Sequence, residues 1–357
     1  MNIVINRKKI IGALKPLVPL MRSNEYPIVK NVLIAVEKDI TITGVVRLDS
    51  NIFVAQTIPA KTDGTKKKIL LPADELLRVC RNIEGEEVYL SLNPPALTDR
   101  MGNEYVFSDL PDPEEFPETP FPPPDSIWTI WFEGDVAYMG RAVSFLAAKD
   151  PSRSNLTGVL LECEDENLRI VASDGYRMGI ASKRLEKKWD FHVVIPPIVF
   201  NFHFSWMTFG SGKDDLSTIT GPGISISGKW VYPNYPDYEA VIPSDWRGEI
   251  EIDRMLLRKA LKKIGLKTSV IFDLKEKILS DFWESVRIRT PFIEKRKLAI
   301  TKIAFKSGLM DEILKHIKSE RIIIHFTTPE NAIKIEPVGT ESFEVFYLLM
   351  PIRGRDG

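Results

Sequence analysis

The stretch Leu110–Asp125, Leu-Pro-Asp-Pro-Glu-Glu-Phe-Pro-Glu-Thr-Pro-Phe-Pro-Pro-Pro-Asp, limits what this chain can fold into more than any other. Each proline fixes φ and removes a backbone donor, so the segment can be neither helix nor central strand. It reads as a linker between compact bodies. A related Pro-Asp-aromatic segment recurs at Tyr232–Pro243, and a third body of similar length then runs to Gly357. The expected boundaries are 1–125, 126–243 and 244–357, each within the usual size of a domain. Three near-equal units imply internal triplication.

At 357 residues the chain suits two or three domains, each able to bury a core. Its 44% hydrophobic and 27% charged content is that of a folded, soluble protein. No apolar run approaches the ~18 residues of a membrane span and the start lacks a secretion signal, so a cytoplasmic protein with no membrane partner is expected. Cys80 and Cys163 fall in a helical and a strand pattern, as two buried thiols and not a disulfide or metal pair. With 48 basic against 49 acidic residues the net charge is −1, which excludes a protein that coats nucleic acid over its whole surface. A polyanionic partner must meet cations gathered on one face.

The helical patterns show such gathering. Met1–Ile5 alternates like an edge strand, and Arg7–Leu20 sets Ile10, Ile11, Leu14 and Leu17 on a stripe beside Arg7, Lys8, Lys9, Lys15 and Arg22. Pro16 and Pro19 are expected to end that helix early. Strands follow at Asn31–Val36, Ile40–Val46 and Ile52–Ile58, then a helix at Pro72–Ile83 carrying Arg78 and Arg81. In the second unit Ile127–Phe132 reads as a strand and Val136–Ala148 as a helix with Arg141, followed by Lys149 and Arg153. Strands are expected at Gly158–Glu162, Leu168–Ser173 and Met178–Arg184. Phe200–Phe209 stands where this unit's second helix should be, yet it is aromatic-rich and carries no Lys or Arg. The third unit opens with a strand at Glu249–Ile252 and a helix at Asp253–Leu266, where Asp253 can cap and Arg254, Arg258, Lys259, Lys262 and Lys263 cover one side. Gly308–Lys318, with Lys315 and Lys318, is its second helix. The fold class is α+β. A solvated helix face accounts for any one of these cationic runs, but repetition at matching places points to a common wall. Such a wall would hold a phosphate polyanion without regard to sequence and release it in salt.

Leu168, Ile170 and Ala172 alternate as a half-buried strand that ends in the turn Ser173-Asp174-Gly175, with Tyr176, Arg177 and Met178 emerging beyond it. An ordinary hairpin explains this stretch alone. Its companions are Leu156-Thr157-Gly158-Val159-Leu160-Leu161 upstream, Tyr235-Pro236-Asp237-Tyr238-Glu239-Ala240-Val241-Ile242-Pro243 downstream, Tyr347-Leu348-Leu349-Met350-Pro351-Ile352-Arg353 at the end, and Tyr26–Ile34 near the start. In this order and spacing they resemble the bacterial DNA sliding clamp, the beta subunit of DNA polymerase III, over nearly the whole chain.

The resemblance implies three similar clamp domains and a head-to-tail homodimer, a ring with helices lining the hole and antiparallel sheets outside. It implies a processivity factor with neither catalysis nor cofactor, partnered by duplex DNA, the replicative polymerase, a clamp loader and repair proteins carrying a clamp-binding peptide. By motif, the peptide pocket is Leu156, Thr157, Ser173, Gly175, Tyr176, Arg177 and Met178, then Pro236 and Val241, then Leu348, Met350, Pro351, Ile352 and Arg353. Arg177 and Arg353 are expected at the margins of an apolar cleft. Tyr176 stands where the family commonly has histidine, Ala240 where a basic residue can occur, and Gly354–Gly357 lengthens the tail. The reading from another class is a diverged clamp-fold scaffold that binds replication or repair proteins without encircling DNA.

Enzyme chemistry finds little support. His192, His203, His316 and His325 show no metal-ligand spacing, and Gly210-Ser211-Gly212-Lys213 only imitates a phosphate loop before Asp214-Asp215. Asp174, beside a turn glycine, is expected to bond its own backbone. Asn155-Leu156-Thr157 matches a glycosylation sequon by chance.

Overall fold

The computed structural model describes residues 2–47, 52–64, 66–119, 128–133, 135–211, 216–229, 234–339 and 342–352. The linker residues 120–125, residues 232–233, the second half of the phosphate-loop imitation with its two aspartates (212–215), and the tail from Arg353 lie outside these.

The first third holds β1 (Asn2–Asn6), α1 (Arg7–Met21), β2 (Asn31–Val36), β3 (Ile40–Arg47), β4 (Ile52–Ile58), β5 (Ala60–Lys61) and β6 (Lys67–Pro72). It continues with α2 (Ala73–Asn82), β7 (Glu87–Leu92), β8 (Pro95–Thr98) and β9 (Glu104–Val106). The middle third holds β10 (Trp128–Glu133), α3 (Asp135–Val143), β11 (Val159–Ser173), β12 (Arg177–Ile195), β13 (Trp206–Ser211), β14 (Leu216–Gly221) and β15 (Ile224–Lys229). The last third opens with β16 (Gly248–Asp253), α4 (Arg254–Ile264), β17 (Ser269–Asp273), β18 (Ile278–Asp281), β19 (Arg287–Arg289), β20 (Ile293–Arg296) and β21 (Lys302–Lys306). It closes with α5 (Ser307–His316), β22 (Arg321–Phe326), β23 (Ile333–Pro337) and β24 (Glu344–Leu349).

The strands form four sheets, ordered β5-β1-β7-β8-β9, β10-β13-β14-β15-β4-β3-β2-β6, β11-β12-β24-β23-β22-β16-β20 and β19-β18-β17-β21. Two of these sheets cross the expected boundaries. Strand β15 of the middle third pairs antiparallel with β4 of the first, and β24 of the last pairs antiparallel with β12 of the middle. The chain accordingly divides into two compact units, Met1–Gly134 with Asn201–Val231 and Asp135–Phe200 with Tyr232–Gly357, so the middle third contributes to both.

Several local expectations change. Strand β1 is no edge, since it is flanked by β5 and β7. Helix α1 runs through Pro16 and Pro19 to Met21. The carbonyls that lose their donors there belong to Gly12 and Lys15, both exposed and open to water. Burial of Ile10, Leu14, Leu17, Val18 and Met21 on the opposite side keeps the helix whole. The strands expected at 158–162 and 168–173 are one, β11, with an irregularity between Asp165 and Asn167 in its pairing to β12. In place of a second helix the middle third has a 3-10 turn, Pro197–Asn201, followed by β13. Phe200, Phe202, Phe204 and Phe209 are buried core. Both cysteines are free and buried, and burial pushes the Cys80 thiol up to about 12.

Candidate functional site

The β11–β12 turn is built as its sequence demands. Gly175 takes φ +85°, and a side chain there would also meet the Arg153 guanidinium at 2.7 Å. Ser173 Oγ accepts from the Gly175 amide at 3.1 Å and donates to the Arg177 carbonyl at 3.0 Å. Asp174 Oδ1 accepts from the amides of Tyr176 and Arg177 at 2.9 and 3.0 Å, so Asp174 bonds its own backbone.

Arg177 is not at a margin. Its side chain is only 6% exposed and lies between Asp174 Oδ2, 2.9 Å from Nε, and Glu312 Oε2 of α5, 2.8 Å from Nη2. Pairing of Arg177 with Leu349 in β24 turns this side chain toward α5, where it fastens the turn. Arg153 occupies the surface instead: it donates to the Asp174 carbonyl and, at 3.0 Å, to the Tyr176 hydroxyl, and lies 4.5 Å over the Tyr176 ring. Arg153 thus packs on the β11–β12 turn, apart from the cationic helices with which the sequence reading grouped it.

The Met350 amide donates to the Tyr176 carbonyl at 2.8 Å, bringing the chain's end to the turn, and the Ile352 amide donates to Ala304 at 2.8 Å. Beneath lies a cluster of Leu160, Val171, Met178, Ile180, Tyr235, Tyr238, Ala332 and Leu348, edged by half-buried Leu156, Ile242 and Trp246. Met178 and Leu348 are floor and not wall. Tyr176, Pro236, Val241 and Met350 are exposed above it, with Leu156, Thr157, Ser173, Pro351 and Ile352 half-buried. Arg353 lies outside the described residues. Of the expected pocket residues only Pro236 lines one of the three cavities described, a hollow of 450 Å³ beside Tyr238 and His192. Tyr176, Val241 and Met350 present an open apolar surface instead. Sequence reasoning missed what holds the Tyr235–Pro243 loop: the Tyr238 hydroxyl donates to Glu162 and accepts from Arg169 at 3.2 Å, while Arg169 also pairs with Glu239. Its one signal was an arginine inside strand β11.

The cationic residues divide in two. Arg7 donates to the carbonyls of Cys80, Arg81 and Gly85 at 2.8, 3.0 and 3.5 Å, satisfying the C-terminal end of α2. Arg254 does the same for α5, donating to Leu314 and Ser319 at 2.9 and 2.7 Å. Even the amides match, Arg7 to Glu86 at 2.8 Å and Arg254 to Glu320 at 2.9 Å. Arg258 is paired with Asp311 at 2.9 Å with both side chains mostly buried. Arg22 pairs with Asp74, Arg78 with Glu75 and the Tyr105 hydroxyl, and Arg141 donates to the Phe200 carbonyl at 2.9 Å. Lys8, Lys9, Lys15, Arg81, Lys149, Lys259, Lys262, Lys263, Lys315 and Lys318 are exposed and form no ion pair among the described residues. Lys259, Lys262 and Lys263 share one face of α4 by their i, i+3, i+4 spacing.

Among the described residues no helix is long and apolar enough to cross a membrane, and no three His, Cys, Asp or Glu side chains could hold a metal. Helix pairs on antiparallel sheets, repeated along the chain and joined by shared strands, define a clamp fold of the α+β class. Residues 1–120 match the family profile of the DNA polymerase III beta subunit N-terminal domain, and residues 136–213 that of its central domain, together more than half of the chain. The chain belongs to the DNA polymerase III beta subunit family. The beta sliding clamp of Buchnera aphidicola subsp. Rhopalosiphum padi is 26% identical, covering 94% of this chain and 96% of that protein. The beta sliding clamp of Escherichia coli K12 is 25% identical over 99% of this chain and all of its own length. In fold, the chain is similar to the DNA polymerase III beta subunit of Thermotoga maritima, with a TM-score of 0.77, 22% identity and 99% of each chain covered. The Bacillus subtilis DNA polymerase sliding clamp gives a TM-score of 0.75 at 18% identity, over 99% of this chain.

Proposed function

We propose that this chain is a DNA polymerase processivity clamp, two copies of which close head to tail around duplex DNA. The supporting observation is the pattern of strand joins. The last strand of the first half of one repeat, β4 or β12, pairs with the last strand of the next repeat, β15 or β24. Carried one step further, the rule pairs β19 with the equivalent strand of a following repeat, which only β9 of a second copy can supply. Both strands end their sheets. Exposed Glu104 and Val106 on β9 face a chemistry suited to exposed Arg287 and Arg289 on β19, and Met101 and Trp283 lie exposed nearby. The interface is heterologous, each copy bringing one edge of each kind, and two copies close where the rotation per copy brings the second pair of edges together.

The unpaired lysines of α1, α4 and α5 meet phosphates without registered contacts, which permits sliding. The apolar surface of Tyr176, Val241 and Met350 takes a short peptide from the replicative polymerase, and in turn from the clamp loader and repair proteins. The chain acts by retention and tethering, in the cytoplasm, without catalysis. Loading onto nicked circular DNA tests this: the protein should stay on the circle and leave when the circle is cut. Arg287→Glu with Arg289→Glu should sediment as a monomer and not be retained. Wild-type protein that is not retained, yet still binds polymerase, would replace the clamp with a scaffold.

A further inference from the structure

We infer that the hollow between α3, the end of α5 and β24 binds one unstacked nucleotide of single-stranded DNA, with the phosphate on Arg141 and Lys318 and the base against the apolar walls. The inference rests on the DNA-handling function proposed above. The hollow measures 220 Å³, lies inside one compact unit and is lined by Tyr138 and Arg141 of α3, His316 and Lys318 at the end of α5, and Phe343 and Tyr347. Among the described residues its lining includes no Asp or Glu. Lys318, exposed and outside every ion pair among the described residues, and the Arg141 guanidinium give this lining a cationic character that favours an anion.

The negative end of α5 would oppose an anion here, but Arg254 already covers it by donating to the carbonyls of Leu314 and Ser319. The walls are fixed beforehand. The Tyr347 hydroxyl donates to the Ala142 carbonyl at 3.1 Å, and Phe145 stacks on the His316 ring with centroids 3.6 Å apart. Arg141 is held by the Phe200 carbonyl and lies 5.4 Å over the Tyr138 ring. Size decides between anions. At 220 Å³ the hollow has room for more than a bare phosphate, and its surplus wall is aromatic and aliphatic. A base within a duplex is stacked and cannot enter, whereas a single strand presents free bases that aromatic side chains accept.

Fluorescence anisotropy of a short labelled oligothymidylate with the full-length protein tests this, with a blunt duplex of equal length measured in parallel. Lys318→Glu should weaken oligothymidylate binding about tenfold and Tyr138→Ala about fivefold. In both, the ratio of single-strand to duplex affinity should fall. Thymidine monophosphate should displace the probe where inorganic phosphate at equal ionic strength does not. Equal losses for single strand and duplex, displacement by phosphate alone, or unchanged binding in Lys318→Glu would each overturn the assignment. Melting curves report whether the variants fold, and Lys318→Gln replaces any that does not. Retention of the wild type on nicked circular DNA is scored separately, so loss of the clamp function and loss of the nucleotide site are told apart.

Discussion

In the first and last thirds of the chain an arginine at the first position of the leading helix, Arg7 or Arg254, reaches the carbonyl end of the trailing helix. In the middle third that position is Asp135, which pairs with Lys183 of β12. An arginine at a helix start is opposed by that helix's own dipole and is stabilised only by the bare carbonyls it meets next door. Where the trailing helix shrinks to the turn Pro197–Asn201 those carbonyls are gone, and an acid, suited to a helix start, takes the place. Arg141, further along α3, then holds the turn through Phe200. The complete pairs also differ from each other. Helices α4 and α5 are pinned by the enclosed Arg258–Asp311 pair, whereas Arg22–Asp74 between α1 and α2 lies in solvent.

The strongest test of that difference is Asp311→Ala, which leaves a mostly buried guanidinium without its partner. It should cost about 3 kcal/mol in urea unfolding of the second unit. Arg254→Ala and Arg7→Ala each free carbonyls at a helix end and should cost about 2 kcal/mol; a much smaller loss in either would break the equivalence of the two pairs. Acid should separate the units further. Glu336 is bonded to His325 at 2.6 Å and paired with Lys334 at 2.7 Å, contacts that outweigh burial and hold its carboxyl at about 2 against an ordinary 4.5. Its folded value is depressed, so its contribution is complete above about 4.5 and is lost as pH falls toward 2. Glu336→Gln should flatten stability against pH across that window. Arg22→Ala, at a fully exposed pair, should leave the melting temperature unchanged.

The α+β class, the helix positions and the β11–β12 turn were legible because they follow from spacing: apolar residues at helical intervals, alternation, and a glycine where φ must be positive. What stayed hidden depends on partners far along the chain. Arg177 looks from sequence like any arginine after a turn, and only pairing of β12 with β24 reveals that α5 covers it. Arg7 and Arg254 looked like cations for a ligand, yet they serve carbonyls some sixty to eighty residues away. Pro16 and Pro19 argued for a break that burial of Leu14, Leu17 and Met21 overrides. Of the candidate site, the meeting of Tyr176 and Met350 was readable as motif order, but the anchoring of Tyr238 was not.

Sharing of sheets across the repeats also governs how the chain can be cut or assembled. A fragment ending before β15 would leave β4 with an open row of amides and carbonyls, and one ending before β24 would do the same to β12. Protease trimming at the proline-dense linker should therefore yield nicked protein that holds together, not separable modules, and a nascent chain leaving the ribosome must wait for its second third before its first is sealed against aggregation.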